Sequence, residues 1–168
     1  MDFSNDQLQL YAEFGITAEK AQVLEFEAGN VALSFVTLFV DTSRIGPEET
    51  AMFRSLMDDV NRQTLGVLLK RIKTMAQFDE SLLTIVDEAL ERRNYLVHRF
   101  FPNHNYAIFG EAGRRAMIDE LRGIQVTLDR AHRALSTVSS LLNKMAGHPQ
   151  LPDAVSQDLI AQGKKLKF

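Results

Sequence analysis

DESLLTIVDEALERRNYLVHRFF, residues 79–101, has the clearest helical pattern in the chain. At about 100° per residue on a helical wheel, its apolar side chains gather within an arc of about 160°: Leu82, Leu83, Ile85, Val86, Ala89, Leu90, Leu96, Val97, Phe100 and Phe101. Such an arc is typical of an amphipathic helix that packs one face against a core. Arg93 lies in the middle of the arc, where a guanidinium costs free energy unless it is paired or faces a solvated cleft.

A polar stripe runs beside the apolar arc, with spacings of four, three and four residues. Its members are Asp87, Glu91, Asn94 and His98. Asn94 and His98 are thus one turn apart, whereas Arg93 and His98 are separated by about 140° on a straight helix. The two converge only through the length of the Arg side chain, an irregularity before Pro102, or a second copy of the helix across a dimer axis.

Two expectations concern the charged residues around this helix. Asp87 and Glu91 are expected to pair with the nearby Arg92 or Arg99, or to be solvated, rather than to act in catalysis. Glu25 and Glu27 lie on a preceding long helix, and either one is eligible to meet Arg93 across the bundle.

The rest of the chain also favours helices, because helix-forming residues dominate and no alternating apolar and polar run is bounded by hairpin signals. The first predicted helix starts after Ser4, with Gln7 completing a capping box, and stops at Gly15; Thr17 then caps a long helix, 18–41. A third helix runs from Pro47 to about Met75 and is bent near Gly66, and Asp79 opens a fourth helix that ends by Pro102. A loop, 103–110, precedes a fifth helix, 111–145, which stops at Gly147 and Pro149 and is followed by a short amphipathic segment after Pro152. The prediction is an all-α fold, an antiparallel bundle of about five helices in a single domain spanning residues 1–168.

Composition narrows the chemistry. The absence of cysteine excludes disulfides, thiolate zinc sites and cysteine nucleophiles. The N-terminus lacks a basic region followed by an apolar core, and the longest apolar run, 31–40, is too short to span a bilayer, so we expect a cytoplasmic protein with no membrane partner. The net charge of −3 means that any contact with nucleic acid must be local.

The sequence patterns typical of metal sites, phosphate-binding loops and nucleophile elbows are not found. His98, His104 and His132 do not form an HExxH or a paired Glu-x-x-His arrangement, so we expect no metal. No glycine-rich phosphate loop and no nucleophile elbow occurs, and no cofactor is expected.

The run RRNYLVHRFF, residues 92–101, resembles the signature of the HEPN superfamily. In that signature an Arg is followed after four to six residues by a His, commonly with a polar residue directly after the Arg. Arg93, Asn94 and His98 match this pattern with four intervening residues. The segments AEKAQVLEFEAGNVAL and TLGVLLKR also resemble parts of HEPN-type bacterial proteins, so that the likeness covers roughly residues 17–142.

This resemblance implies a homodimer in which two motif helices face each other and form a cleft that cleaves RNA without metal. The ribose 2′-OH attacks the adjacent phosphate, His98 moves a proton near neutral pH, and Arg93 stabilises the phosphoryl oxygens. Asn94 orients the imidazole or the substrate. Arg92 and Arg99 are expected substrate contacts. Tyr95 falls at about 220° on the wheel, which favours a place outside the catalytic site, and its exposed ring is the third expected substrate contact, suited to stacking on a base.

Three functional hypotheses follow. The first is a metal-independent endoribonuclease of a toxin–antitoxin or phage-defence type, with an antitoxin protein as a further partner. The second is a non-catalytic helical dimer that binds RNA or a protein. Open, mutually facing Arg93 and His98 pairs favour the enzyme, whereas an occluded, ion-paired Arg93 favours the binder. The third is a regulatory or immunity component that recognises a partner through an exposed apolar patch, for instance on the face of residues 31–40.

Overall fold

The computed structural model describes residues 3–39, 64–75 and 77–147. Within them the helices are α1 (Asn5–Phe39), α2 (Leu65–Met75), α3 (Glu80–His98), α4 (Phe100–Asn103) and α5 (Glu111–Met145), with a 3-10 turn at Ala107–Phe109. The described residues contain no strand, which confirms the all-α prediction. None of the described helices has the length and hydrophobicity needed to span a bilayer. The predicted helix start at Pro47, the stop at Pro149 and the segment after Pro152 lie outside the described residues.

Helix α1 begins where the capping box predicts, because the Ser4 backbone N donates to Gln7 Oε1 at 2.9 Å. The predicted stop at Gly15 is wrong, since α1 continues to Phe39 as one helix of 35 residues. A glycine inside a helix costs only about 1 kcal/mol, which packing along a long helix outweighs. Thr17 is therefore not a cap. It is fully buried, and its hydroxyl donates to the Glu13 carbonyl at 2.7 Å, inside the helix.

Gly15→Ala is expected to stabilise the protein by about 0.5–1 kcal/mol in chemical denaturation, because alanine reduces the entropy of the unfolded chain at a helical position. A Cβ at Gly15 meets no atom within 4 Å. Gly147→Ala is the matched control. Gly147 has a φ of +71°, so the same change there should destabilise by about 1 kcal/mol. A loss of stability in Gly15→Ala would contradict the continuous helix.

Helices α1 and α5 run parallel, which corrects the prediction of an antiparallel bundle for this pair. Polar contacts join residues at a constant separation of 109 along the chain: Glu13 with Arg122, Lys20 with Asp129, and Ser34 with Asn143. Each helix has 35 residues and is about 52 Å long. The two pack along most of this length and form the frame on which the shorter helices lie.

Helix α3 runs antiparallel to α1. Near the start of α1, the Phe14 ring centroid is 5.8 Å from that of Phe100, just after α3. Near the end of α1, the Phe35 ring centroid is 5.7 Å from that of Phe78, just before α3. The core lies between α1, α3 and α5, with α2 against α1 and α3. Its largest fully buried side chains include Leu10, Leu24, Val31, Leu65, Leu68, Leu96, Phe100, Met117, Leu121, Ile124 and Leu128.

The apolar arc of α3 faces this core as predicted, except at its edge. Val86, Ala89, Leu96 and Phe100 are buried, whereas Val97 is 54% exposed. In the described part of the 31–40 segment, Val31, Ala32 and Phe35 are also buried, so this face of α1 packs inward. The apolar patch of the third hypothesis is therefore not exposed at those positions.

The start and the end of α3 both agree with the prediction. Asp79 caps the start by accepting from the Ser81 backbone N at 2.8 Å, and the Ser81 hydrogen bonds hold the pKa of the Asp79 carboxyl below its usual value. The helix ends at His98, within the predicted limit at Pro102, which lies in the separate turn α4. Proline has no backbone N–H, and its ring clashes with the carbonyl four residues earlier, here that of His98.

Candidate functional site

An open groove of about 770 Å³ lies on the surface of α3 and is lined by Glu91, Arg92, Asn94, Tyr95, His98 and Arg99. Helical spacing explains why they meet. Positions 91, 94, 95 and 98 recur every three or four residues and share a face, while positions 92 and 99 are two turns apart on its flank. The groove thus gathers five of the six predicted site residues. The sixth, Arg93, does not line it.

Arg93 is turned away from the groove and into an ion pair. Its Nη2 donates to Glu25 Oε1 at 2.9 Å, and the two side chains are only 18% and 25% exposed. Glu25 Oε1 also accepts from the Leu65 backbone N at 2.9 Å, so one carboxylate joins α1, α2 and α3. Of the two carboxylates that the sequence offered as partners for Arg93, Glu25 is therefore the one that pairs with it. Glu27 instead accepts from Asn30 at 3.0 Å.

One contact links Arg93 to the groove. Its Nη1 donates to Asn94 Oδ1 at 3.2 Å, and Asn94 lines the groove beside His98. Arg93 therefore hydrogen-bonds to a residue of the groove, while its own charge is paired with Glu25. This arrangement, rather than an open Arg93 facing His98, is the one that the binding hypothesis requires.

The remaining cations of the groove are exposed. Among the described residues, no hydrogen bond or ion pair engages the Arg92 and Arg99 guanidinium groups or the His98 imidazole. His98 is the last residue of α3. With one carboxylate, Glu91, against two arginines, the groove has a formal charge of +1 when His98 is counted as neutral.

Asp87 does not neutralise this site. It pairs with Lys73 of α2, whose Nζ lies 2.6 and 2.8 Å from its two carboxylate oxygens. Of the two expected alternatives, Asp87 therefore pairs with neither Arg92 nor Arg99, and its side chain remains half exposed to solvent. Both arginines stay available to a ligand.

Tyr95 lines the groove, and its hydroxyl faces His104 and Glu120, two residues that the sequence did not indicate as part of the site. Its hydroxyl lies 3.5 Å from His104 Nε2, which lies 2.7 Å from Glu120 Oε2 on α5. Burial raises the pKa of the Tyr95 hydroxyl, with a further contribution from the Glu120 carboxylate, so the phenol stays neutral at physiological pH. No sequence pattern near Glu120 indicates a role in the site, because only the tertiary fold brings α5 next to Tyr95 and His104.

His104 was considered at the sequence level only as a metal ligand. Over the described ranges, no group of three His, Asp or Glu side chains is placed to hold a metal ion. The His104 imidazole is instead committed to Glu120 and packs 5.0 Å from the Phe100 ring, between centroids.

The fold and the groove define this chain as an all-α protein with a locally cationic groove on one helix. Comparison with protein families, curated proteins and solved structures finds no match to this sequence.

Proposed function

We propose that this protein is a HEPN-like helical protein that binds RNA through the α3 groove. The observation that carries the proposal is the exposure of Arg92, His98 and Arg99 side by side, with neither guanidinium paired within the described chain. A free guanidinium presents planar donors that match phosphate oxygens. Asn94 and Tyr95, in the same groove, add an amide for hydrogen bonding and a ring for contact with a base.

The charge distribution favours a small area of contact between RNA and the protein. The whole chain carries −3, so no broad electrostatic attraction holds RNA to its surface. Binding therefore depends on the few cations of the groove, and it should weaken steeply when they are removed.

The double variant Arg92→Ala/Arg99→Ala is expected to lower affinity for single-stranded RNA at least about tenfold at low salt. Because each lost phosphate contact on a single strand reduces the salt slope by about 0.7, the slope of log K against log salt should become shallower by about 1.4. Fluorescence anisotropy with a labelled oligonucleotide over a salt series measures both quantities.

The matched control is Arg130→Ala/Arg133→Ala, which removes the same charge from exposed positions of α5. Equal losses in the two double variants would show that RNA responds only to net charge and would contradict the groove as the binding site.

Metal-independent cleavage of the bound RNA is a second candidate function, and the exposed imidazole of His98 in the groove favours it. In this reaction the 2′-OH attacks the adjacent phosphate, His98 takes or returns the proton, and Arg92 and Arg99 stabilise the phosphoryl oxygens. Asn94, held by Arg93, orients the imidazole or the ribose. The assay is incubation with an RNA pool in excess EDTA, with 2′,3′-cyclic phosphate ends as the diagnostic product.

The proposal also includes an oligomeric state and a biological role. A homodimer with two α3 grooves facing each other would join two such sites into one cleft, as the HEPN resemblance implies. A cytoplasmic toxin–antitoxin or phage-defence role, with an antitoxin protein covering the cleft, fits an enzyme of this kind. The Arg93–Glu25 ion pair nevertheless favours binding without cleavage, because the motif's own guanidinium is already occupied. RNA binding is therefore the function that the geometry supports best.

A further inference from the structure

Two aromatic side chains project from the connection between α4 and α5. Tyr106 is 85% exposed and Phe109 is 82% exposed, more than any other large hydrophobic residue in the described ranges. Folding gains little from rings left in water, so their presence is not explained by the core.

The connection that carries these rings is firmly anchored. A Cβ on Gly113 of α5 would lie 2.1 Å from the Ala107 carbonyl oxygen, so the turn backbone rests directly on the helix at this glycine. Arg114 Nη1 donates to the Ile108 carbonyl at 2.8 Å. Ala107 and Ile108 pack against the core, while their neighbours Tyr106 and Phe109 remain exposed. Because the backbone is already fixed, only the side-chain torsions of the two rings lose freedom when a ligand binds.

The turn starts at the groove. The Asn103 backbone N donates to the Arg99 carbonyl at 2.9 Å, and the His104 ring lies against the Tyr95 hydroxyl, 3.5 Å away. Consecutive Cα atoms are about 3.8 Å apart, so the Cα of Tyr106 is within about 7.6 Å of the Cα of His104. The Phe109 backbone N donates to the Tyr106 carbonyl at 3.2 Å, so one turn carries both rings, and this turn begins at the Arg99 end of the groove.

We propose that Tyr106 and Phe109 form a base-stacking site for single-stranded RNA whose phosphates are held by Arg92 and Arg99. This inference rests on the proposed function and specifies the strand state of its ligand. Bases of a single strand are free to stack on aromatic rings, whereas those of a duplex are stacked on each other. Stacking accepts every base, so the site should show little sequence preference.

The test compares two labelled 12-mers with the same ribose-phosphate chain, one with bases and one abasic. The parent should bind the oligonucleotide with bases at least about tenfold more tightly, since each stacked ring contributes about fivefold or more. Tyr106→Ala/Phe109→Ala should reduce that preference at least about fivefold, with Tyr95 left to contact a base, and should keep the salt slope of the parent. Tyr106→Phe/Phe109→Tyr, which retains both rings, should preserve the preference. Val126→Ala/Leu141→Ala, at exposed apolar positions of α5, is the surface control.

Each result separates the stacking site from the proposed function. If the parent binds RNA but Tyr106→Ala/Phe109→Ala keeps the preference for bases, the stacking site is overturned and the groove still binds RNA. If the parent binds neither oligonucleotide, both proposals fail. If the variant loses affinity for both oligonucleotides together with its oligomeric state in light scattering, the turn is an interface between copies, which also overturns the stacking site.

Discussion

Arg93→Ala is expected to lower the free energy of unfolding by about 2–3 kcal/mol, because it leaves the partly buried Glu25 carboxylate without its cation. The loss should fall short of the value for a fully buried pair, since both side chains retain some exposure and Glu25 keeps its hydrogen bond from the Leu65 backbone. Urea denaturation followed by circular dichroism measures it.

The neighbouring residue supplies the control. Arg92→Ala removes the same type of side chain one position away, where it is exposed and unpaired, and should change stability by no more than about 0.5 kcal/mol. A double-mutant cycle of Arg93→Ala with Glu25→Ala should give a coupling energy above about 1 kcal/mol. An Arg93→Ala variant as stable as Arg92→Ala would remove the structural role and return Arg93 to the candidates for phosphate binding.

His98→Ala is expected to reduce RNA cleavage at least about 100-fold, if the protein has the proposed nuclease activity, because a positioned proton donor and acceptor contributes about that much or more. RNA affinity should change by less than about threefold, since Arg92 and Arg99 still contact the phosphates. Single-turnover cleavage in EDTA and anisotropy with the same RNA separate the two effects.

His132→Ala is the control for loss of an imidazole elsewhere, because His132 lies on α5 and does not line the groove. Cleavage that persists unchanged in His98→Ala would exclude this groove as the catalytic site. Intact RNA with the parent protein, together with groove-dependent binding, would leave the protein as a binding module.

Helical spacing alone predicts which residues line the groove and that Arg93 lies on another side of α3. Arg92, Asn94, Tyr95, His98 and Arg99 meet because helical spacing puts them on neighbouring faces, and that spacing is visible in the sequence. The burial of Arg93 on the opposite, apolar side follows from the same wheel.

Local sequence patterns were sufficient to predict the all-helical class, the cap of α1 at Ser4, the cap of α3 at Asp79 and the extent of α5, residues 111–145. These features depend on residues close together along the chain. Tertiary structure alone decided that α1 passes through Gly15, that α1 and α5 are parallel, and that Tyr95 rests on His104 and Glu120. It also chose Glu25 over Glu27 for Arg93. The physical reason is that a local propensity of about 1 kcal/mol yields to packing between helices, and that the partner of a charge depends on which helices the fold brings together.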